Sequence, residues 1–183
     1  MATPLIAVLD ADVLVPILSC DLLLSCFDRD LYQPVVTRRI LDEVERTLAT
    51  DFAHLDRAAL TRRVGRVAEV LVFHTHPEAP ASGAIAGVNA KDRHVAAIAL
   101  ATHAAVVVTN DRRLRRQINA LAAPLQAITG DEFMVSLYDA QPNEVDAALD
   151  TMVAKRTRRP ISRSNLLEAL APSFPRFAAE ASP

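Results

Sequence analysis

Short, wholly apolar runs alternate along the chain with longer stretches whose apolar residues recur every three or four positions. Leu5–Leu9 is apolar throughout, as a strand buried on both faces of a parallel sheet should be. A helix is predicted from about Pro16 to Arg29, with proline in the first turn, where a missing N–H costs nothing. Tyr32–Val36 reads as a brief strand or extended link, and Thr37 as the N-cap of a helix reaching about Ala49. Asp56–Val70 is a further helix with arginines on its outer face, followed by a short strand at Leu71–Phe73. His74–Val88, with Pro77, Pro80, Gly83 and Gly87, is a loop. Asn89 is then placed to cap a helix over Ala90–Thr102. Ala104–Val108 is a second buried strand, Asp111–Leu121 a helix, Leu125–Ile128 a third strand, and Asp131 to about Tyr138 a short helix.

Strands separated by helices predict an α/β fold, a central and mainly parallel sheet flanked by helices. From Pro142 onward the pattern is purely helical, with one helix to about Arg156 and two short pieces around Leu166 and Phe174. The expected division is an α/β domain over residues 1–140 and a helical C-terminal extension over 141–183, packed on or next to it.

Composition narrows the picture. A chain of 183 residues suits one compact domain with a small appendage. With no Trp, six Phe and two Tyr, its core must be aliphatic. The formal net charge of −2 carries no global basic signature, so any contact with nucleic acid must be local. The cations are nearly all arginine, Lys91 and Lys155 being the two lysines, and the guanidinium fork grips phosphates well. Cys20 and Cys26 fall roughly on opposite sides of one predicted helix and are read as reduced core residues of a cytoplasmic protein. The opening MATPLIAVLDADVLV has no basic lead and carries two acids within its apolar run, so it reads as neither signal peptide nor membrane span.

Candidate chemistry lies in the acids. In parallel α/β sheets, ligands bind outside the carboxyl ends of the strands. Asp10 and Asp12 end the first strand, Asp92 opens the helix leading to the second, and Asp111 follows Val106–Val108 within three residues. Acids at helix N-termini also serve as caps, but that role does not explain why two of them interrupt an apolar strand-to-helix junction. Clustered carboxylates repel, and a hard divalent cation such as Mg²⁺ or Mn²⁺ relieves the repulsion and supports phosphoryl chemistry. Helical phase puts Asp92 on nearly the same side as the inward stripe Val95, Ala99 and Thr102, with Arg93 projecting away. Glu43 and Glu45 flank the stripe of Ile40, Leu41, Val44 and Leu48 about equally, so periodicity does not choose between them. None of the five histidines has the further ligands of a zinc site. All are read as surface or loop residues, with His94 nearest the acids.

These segments resemble the motifs of PIN domains. Val8-Leu9-Asp10-Ala11-Asp12-Val13-Leu14 is similar to the opening motif, a strand ending in Asp-x-Asn or Asp-x-Ser. Ile40-Leu41-Asp42-Glu43-Val44 resembles the second motif, Asn89-Ala90-Lys91-Asp92-Arg93-His94-Val95 the third, and Val107-Val108-Thr109-Asn110-Asp111 the fourth. Order and spacing agree over roughly residues 5–135. The subgroup most resembled is the VapC-like toxins of prokaryotic toxin–antitoxin pairs, some of which carry a helical C-terminal extension. The resemblance implies a PIN-like three-layer fold and an endoribonuclease dependent on Mg²⁺ or Mn²⁺. Asp10, Glu43, Asp92 and Asp111 would be the metal-binding catalytic acids, and Thr109 would position a ligand or water. Asp12 departs from the family's neutral Asn or Ser, and would either bind the metal or raise a neighbour's pKa.

The implied reaction hydrolyses an RNA phosphodiester in an exposed loop of transfer or ribosomal RNA, leaving a 5′-phosphate. Arg112, Arg113, Arg115 and Arg116 beside Asp111, and Arg38 and Arg39 beside Glu43, are candidates to hold the backbone. Stacking platforms are scarce, so shape and phosphate contacts should dominate. A cognate antitoxin and a homodimer are implied partners, and Leu22-Leu23-Leu24 is a candidate apolar surface for either. Two other readings compete. A haloacid-dehalogenase-type phosphatase shares Asp-x-Asp after a strand, but it needs a lysine between Thr109 and Gly130, and none is present. A catalytically silent binding module would use the acids structurally and the arginines for docking.

Overall fold

The structure is a computed structural model and describes residues 5–51, 56–80, 83–157 and 159–182. The predictions that touch residues 1–4, the loop tip at 81–82, His54 and residue 183 lie outside the described residues. The strands are β1 (Ile6–Leu9), β2 (Gln33–Thr37), β3 (Thr75–His76), β4 (Val106–Val108) and β5 (Gln126–Ile128). They form one sheet in the order β3-β2-β1-β4-β5, and every pairing is parallel. Val8 of the central strand stands opposite Val35 on one side and Val107 on the other. Ala7, Val8, Leu9, Val107 and Val108 are fully buried. Such residues bring no side-chain polar atoms into the interior, so the backbone groups are satisfied by the ladder alone.

The order of the strands positions the site. From β1 the chain moves outward to β2 and β3, then returns past β1 to β4 and on to β5. The direction therefore reverses between β1 and β4. Loops leaving the carboxyl ends of those two strands diverge, which opens a crevice at the switch point.

The helices are α1 (Ala11–Leu14), α2 (Ile17–Phe27), α3 (Arg38–Asp51), α4 (Arg57–Val70), α5 (Arg93–Ala101), α6 (Arg112–Asn119), α7 (Gly130–Ala140), α8 (Pro142–Ala154), α9 (Arg163–Leu170) and α10 (Pro175–Glu180). The expected α/β fold with flanking helices and a helical C-terminal region is the observed one. Thr37 caps α3 as predicted, its Oγ1 accepting from Ile40 N at 3.3 Å. Asp56 caps α4 by accepting from Ala58 N. Thr129 and Glu132 form a reciprocal capping box on α7.

Three expectations are corrected. Leu71–Phe73 is not a strand: Val72–His74 is a 3₁₀ turn with the Phe73 side chain almost wholly exposed, and β3 begins only at Thr75. The helix expected over Ala90–Thr102 starts at Arg93, because Asn89–Asp92 is a turn in which Asp92 N donates to the Asn89 carbonyl. The Leu22–Leu24 run is not an open surface, since α8 and α9 pack on α2 and both Leu22 and Leu23 are fully buried. The covering face of α8 is Val145, Ala148, Leu149 and Met152. Asp131 adds a second tie to the extension by accepting from Arg176 N and Phe177 N at the start of α10.

Cys20 and Cys26 are free and buried, and burial pushes each thiol up to about 12, so neither is a ready nucleophile. Among the described residues, no helix is long and apolar enough to cross a membrane.

Candidate active site

Asp10 is the first residue past β1, and its amide still donates to the Val108 carbonyl, so the β1–β4 ladder runs up to the site. Extended backbone at Asp10 then turns into α1. One oxygen, Oδ1, accepts from Ala11 N at 2.8 Å, while Oδ2 accepts from the Thr109 hydroxyl at 2.7 Å. Thr109, fully buried at the end of β4, also lies 3.2 Å from Asp12 Oδ2. A hydroxyl has one proton to give, and the shorter contact to Asp10 takes it. Asp12 Oδ2 accepts instead from Asn110 N at 2.9 Å, and Asp12 Oδ1 is buried with no hydrogen-bond partner. The lone pairs of Thr109 Oγ1 accept the Asp111 amide at 3.2 Å. One threonine thus ties Asp10 to Asp111 across the ends of both central strands, with Asp12 held by the amide of the next residue.

Asp111 caps α6, its Oδ1 accepting from Arg113 N at 2.7 Å and Leu114 N at 3.0 Å. Asp92 sits at the N-cap of α5 but makes no capping bond. Its Oδ2 is buried and unpartnered, and its Oδ1 is 3.8 Å from Lys91 Nζ. The capping role therefore accounts for Asp111 and part of Asp10, but not for Asp92. Glu43 is half-buried whereas Glu45 is exposed, so α3 turns Glu43 inward. Arg39 Nε stands 3.5 Å from Glu43 Oε1, and its NH2 group donates to the Lys91 carbonyl, clasping α3 to the approach of α5.

His94 corrects the sequence reading of a surface histidine. It is buried in α5, its Nε2 lies 3.6 Å from Glu43 Oε1, and Nε2 has no hydrogen-bond partner. His74 and His76 are half-buried and His103 is exposed. The missed signal was Val95–Ala101, a run of seven apolar residues, of which Val95–Ala99 are all buried. The Arg93 guanidinium donates to the Val88 and Ala86 carbonyls and anchors the preceding loop.

The electrostatics agree with the geometry. Burial, with the charge of Glu43 adding to it, pushes the Asp10 carboxyl up, against the pull of the Thr109 hydrogen bond. Asp12 is pushed up to about 6 by burial and then by the charge of Asp10. Asp92 is raised by burial and by Asp111 and Glu43, with Lys91 opposing. Asp111 is held low by its bonds to the Leu114 and Arg113 amides. These mutual influences link Asp10, Asp12, Glu43, Asp92 and Asp111 in one field at the switch point.

Three buried polar atoms without a hydrogen-bond partner (Asp12 Oδ1, Asp92 Oδ2 and His94 Nε2) belong to this group. A donor set rich in carboxylate oxygen fits a hard divalent cation. Among the described residues, no group of three or more His, Cys, Asp or Glu is already gathered for one.

On the flank, α6 carries Arg112, Arg113 and Arg116 exposed and Arg115 half-buried. None of the four makes an ion pair among the described residues. Shallow clefts between them are completed by Gln117 and Asn119. Arg38, by contrast, pairs with Asp42 at 2.8 Å, and Arg39 is engaged in the clasp on Glu43.

Asp10, Asp12 and Asp111 thus stand around Thr109 at the switch point of a parallel sheet. The profile described as PIN domain matches residues 7–113, more than half of the chain and all of the segments that carry these acids, and the chain belongs to the PIN-domain family. The profile described as VapC50 C-terminal domain matches residues 130–183, from the start of α7 onward, which makes this a VapC-like PIN-domain protein and, at the level of family, a nuclease toxin. No curated protein and no solved structure matches the chain.

Proposed function

We propose that the protein is a Mg²⁺- or Mn²⁺-dependent endoribonuclease that cuts transfer or ribosomal RNA and acts as the toxin of a toxin–antitoxin pair. The observation that supports this most is that buried oxygens of Asp12 and Asp92 are left unpaired, with Asp12 standing beside Asp10 and the Thr109 hydroxyl at the carboxyl ends of β1 and β4. Asp10, Glu43, Asp92 and Asp111 are the residues that would hold the cation, with Asp12 beside them. When bound, a divalent ion would supply charge neutralisation at the phosphoryl oxygens and a water of lowered pKa.

The chain's own residues contribute orientation and exclusion. Thr109 fixes the rotamer of Asp10 by donating to Oδ2, which leaves Oδ1 toward the Ala11 amide. The Asn110 amide does the same for Asp12. Asp111 is kept ionised by the amides at the start of α6. The guanidinium groups of α6, which make no ion pair among the described residues, follow Asp111 in the chain and suit phosphates flanking the cut, as a sequence-independent grip. The reaction forms a bond between water oxygen and phosphorus and breaks the bond to the 3′-oxygen, leaving a 5′-phosphate. Association with an antitoxin and with a second copy of the chain belongs to the same reading.

The test is incubation of the pure protein with total cellular RNA in Mg²⁺ or Mn²⁺, followed by mapping of the ends. Cleavage in structured loops, with 5′-phosphate ends and lost in Asp10→Asn and Asp92→Asn, supports the proposal. Intact RNA under all conditions, or cleavage unchanged in both variants, overturns it.

A further inference from the structure

His94 is not among the acids, yet it is the most deeply buried ionisable side chain facing them, 5 % exposed. Its Nδ1 lies 2.9 Å from the Lys91 carbonyl oxygen. A carbonyl oxygen can only accept, so Nδ1 carries the hydrogen and donates it. The ring is thereby fixed with Nε2 toward the acids, 3.6 Å from Glu43 Oε1 and without a hydrogen bond. Leaving a buried polar atom unpaired forfeits its hydration with nothing in return, and natural folds rarely keep such an atom without a use for it. One nitrogen donating to a backbone carbonyl, with the other bare, is how proteins orient a histidine for a metal ion. The anchor is itself braced, since Arg39 donates to the same Lys91 carbonyl while its Nε approaches Glu43.

We infer that His94 Nε2 is a nitrogen ligand of the cation held at the acidic cluster, acting alongside Glu43. The inference rests on the metal-dependent reading above and goes further by assigning ion selectivity. Mg²⁺ prefers oxygen ligands and gives up its water reluctantly, whereas imidazole favours first-row transition ions. His94 therefore biases the centre toward Mn²⁺ and its neighbours over Mg²⁺.

The experiment is titration of the full-length protein with Mn²⁺ alone. Free Mn²⁺ is followed by electron paramagnetic resonance, and the bound ion by electron spin-echo envelope modulation. The expected result is a coupling to ¹⁴N in the wild type that converts to ¹⁵N when histidine alone is isotopically labelled, which requires no variant. In His94→Asn, whose side-chain amide can still donate to the Lys91 carbonyl, the coupling disappears. Mn²⁺ affinity there falls about tenfold or more while Mg²⁺ affinity, measured by competition, changes little. Bound Mn²⁺ lacking nitrogen coupling in the wild type overturns the inference, as does an equal loss of Mg²⁺ and Mn²⁺ affinity in His94→Asn. Asp10→Asn separates the two levels. If it abolishes Mn²⁺ binding but the wild type shows no nitrogen coupling, only the His94 assignment falls. If Mn²⁺ binds undiminished to Asp10→Asn, the metal-nuclease reading falls with it.

Discussion

Replacing Asp12 with asparagine removes one negative charge from beside Asp10 while keeping an oxygen for the Asn110 amide, which bonds Asp12 at 2.9 Å. The carboxyl of Asp12 is pushed from its ordinary 3.8 up to about 6, first by burial and then by the charge of Asp10. A raised value means that the folded state holds the proton more tightly than the unfolded chain does. The ionised group therefore withdraws stability, fully above about pH 6, and gives it back as the pH falls toward 4. At about 1.4 kcal/mol for each tenfold change in the protonation equilibrium, the cost at pH 8 is on the order of 3 kcal/mol, falling to about 1 kcal/mol near pH 4.5. Asp12→Asn should thus be more stable than the parent by about 2–3 kcal/mol at pH 8, or about 5–10 °C for a chain of this length. The assay is thermal and urea unfolding in excess chelator at the two pH values. Adding Mn²⁺ should narrow the gap, because an ion bound only by the folded state favours the protein with the more negative site. A variant destabilised at pH 8, or stabilised equally at both pH values, would refute this account of the acidic cluster.

Asp92 and Asp111 should separate under alanine substitution. Asp111→Ala loses two capping bonds and about 1–2 kcal/mol of stability, whereas Asp92→Ala stays within about 0.5 kcal/mol, although both abolish cleavage. Equal stability losses by urea unfolding would mean that Asp92 caps α5 after all. Thr109→Val keeps the packing but strands Asp10 Oδ2, so it should cost about 1–3 kcal/mol near neutral pH and weaken Mn²⁺ binding in a calorimetric titration. Full Mn²⁺ affinity in that variant would remove Thr109 from the site. A chain ending at residue 140 uncovers Leu22 and Leu23, which α8 and α9 bury. It should bind a hydrophobic dye and aggregate, and a monodisperse, cooperatively folded fragment would instead make residues 1–140 autonomous.

Much of this was legible before any coordinates, for identifiable reasons. β1 and β4 are buried on both faces, so their apolar runs were unbroken, and the acids ending them stood out against that background. The clear stripe of α3 located its core face, yet Glu43 and Glu45 straddled that stripe, and the helix's contact with the approach to α5 was what turned Glu43 inward. β3 was misplaced because a two-residue edge strand carries too few positions for an alternation to register. The start of α5 was misplaced because Asn89, a plausible cap, donates its own amide to Gln117 from α6, a contact 28 residues away that local pattern cannot anticipate. His94 was missed because the apolar run Val95–Ala101 that follows it was given too little weight. The leucine run of α2 looked like a docking surface because its cover is supplied by the chain's own last forty residues or so.

The most direct test of the metal-centred account is a crystal soaked in Mn²⁺ and measured for anomalous scattering. The account predicts a peak at the carboxyl ends of β1 and β4, within ligand distance, about 2.0–2.3 Å, of oxygens from Asp10, Glu43, Asp92 and Asp111. A peak that touches none of these acids, or no peak at all in crystals of a protein that cleaves RNA, would contradict it.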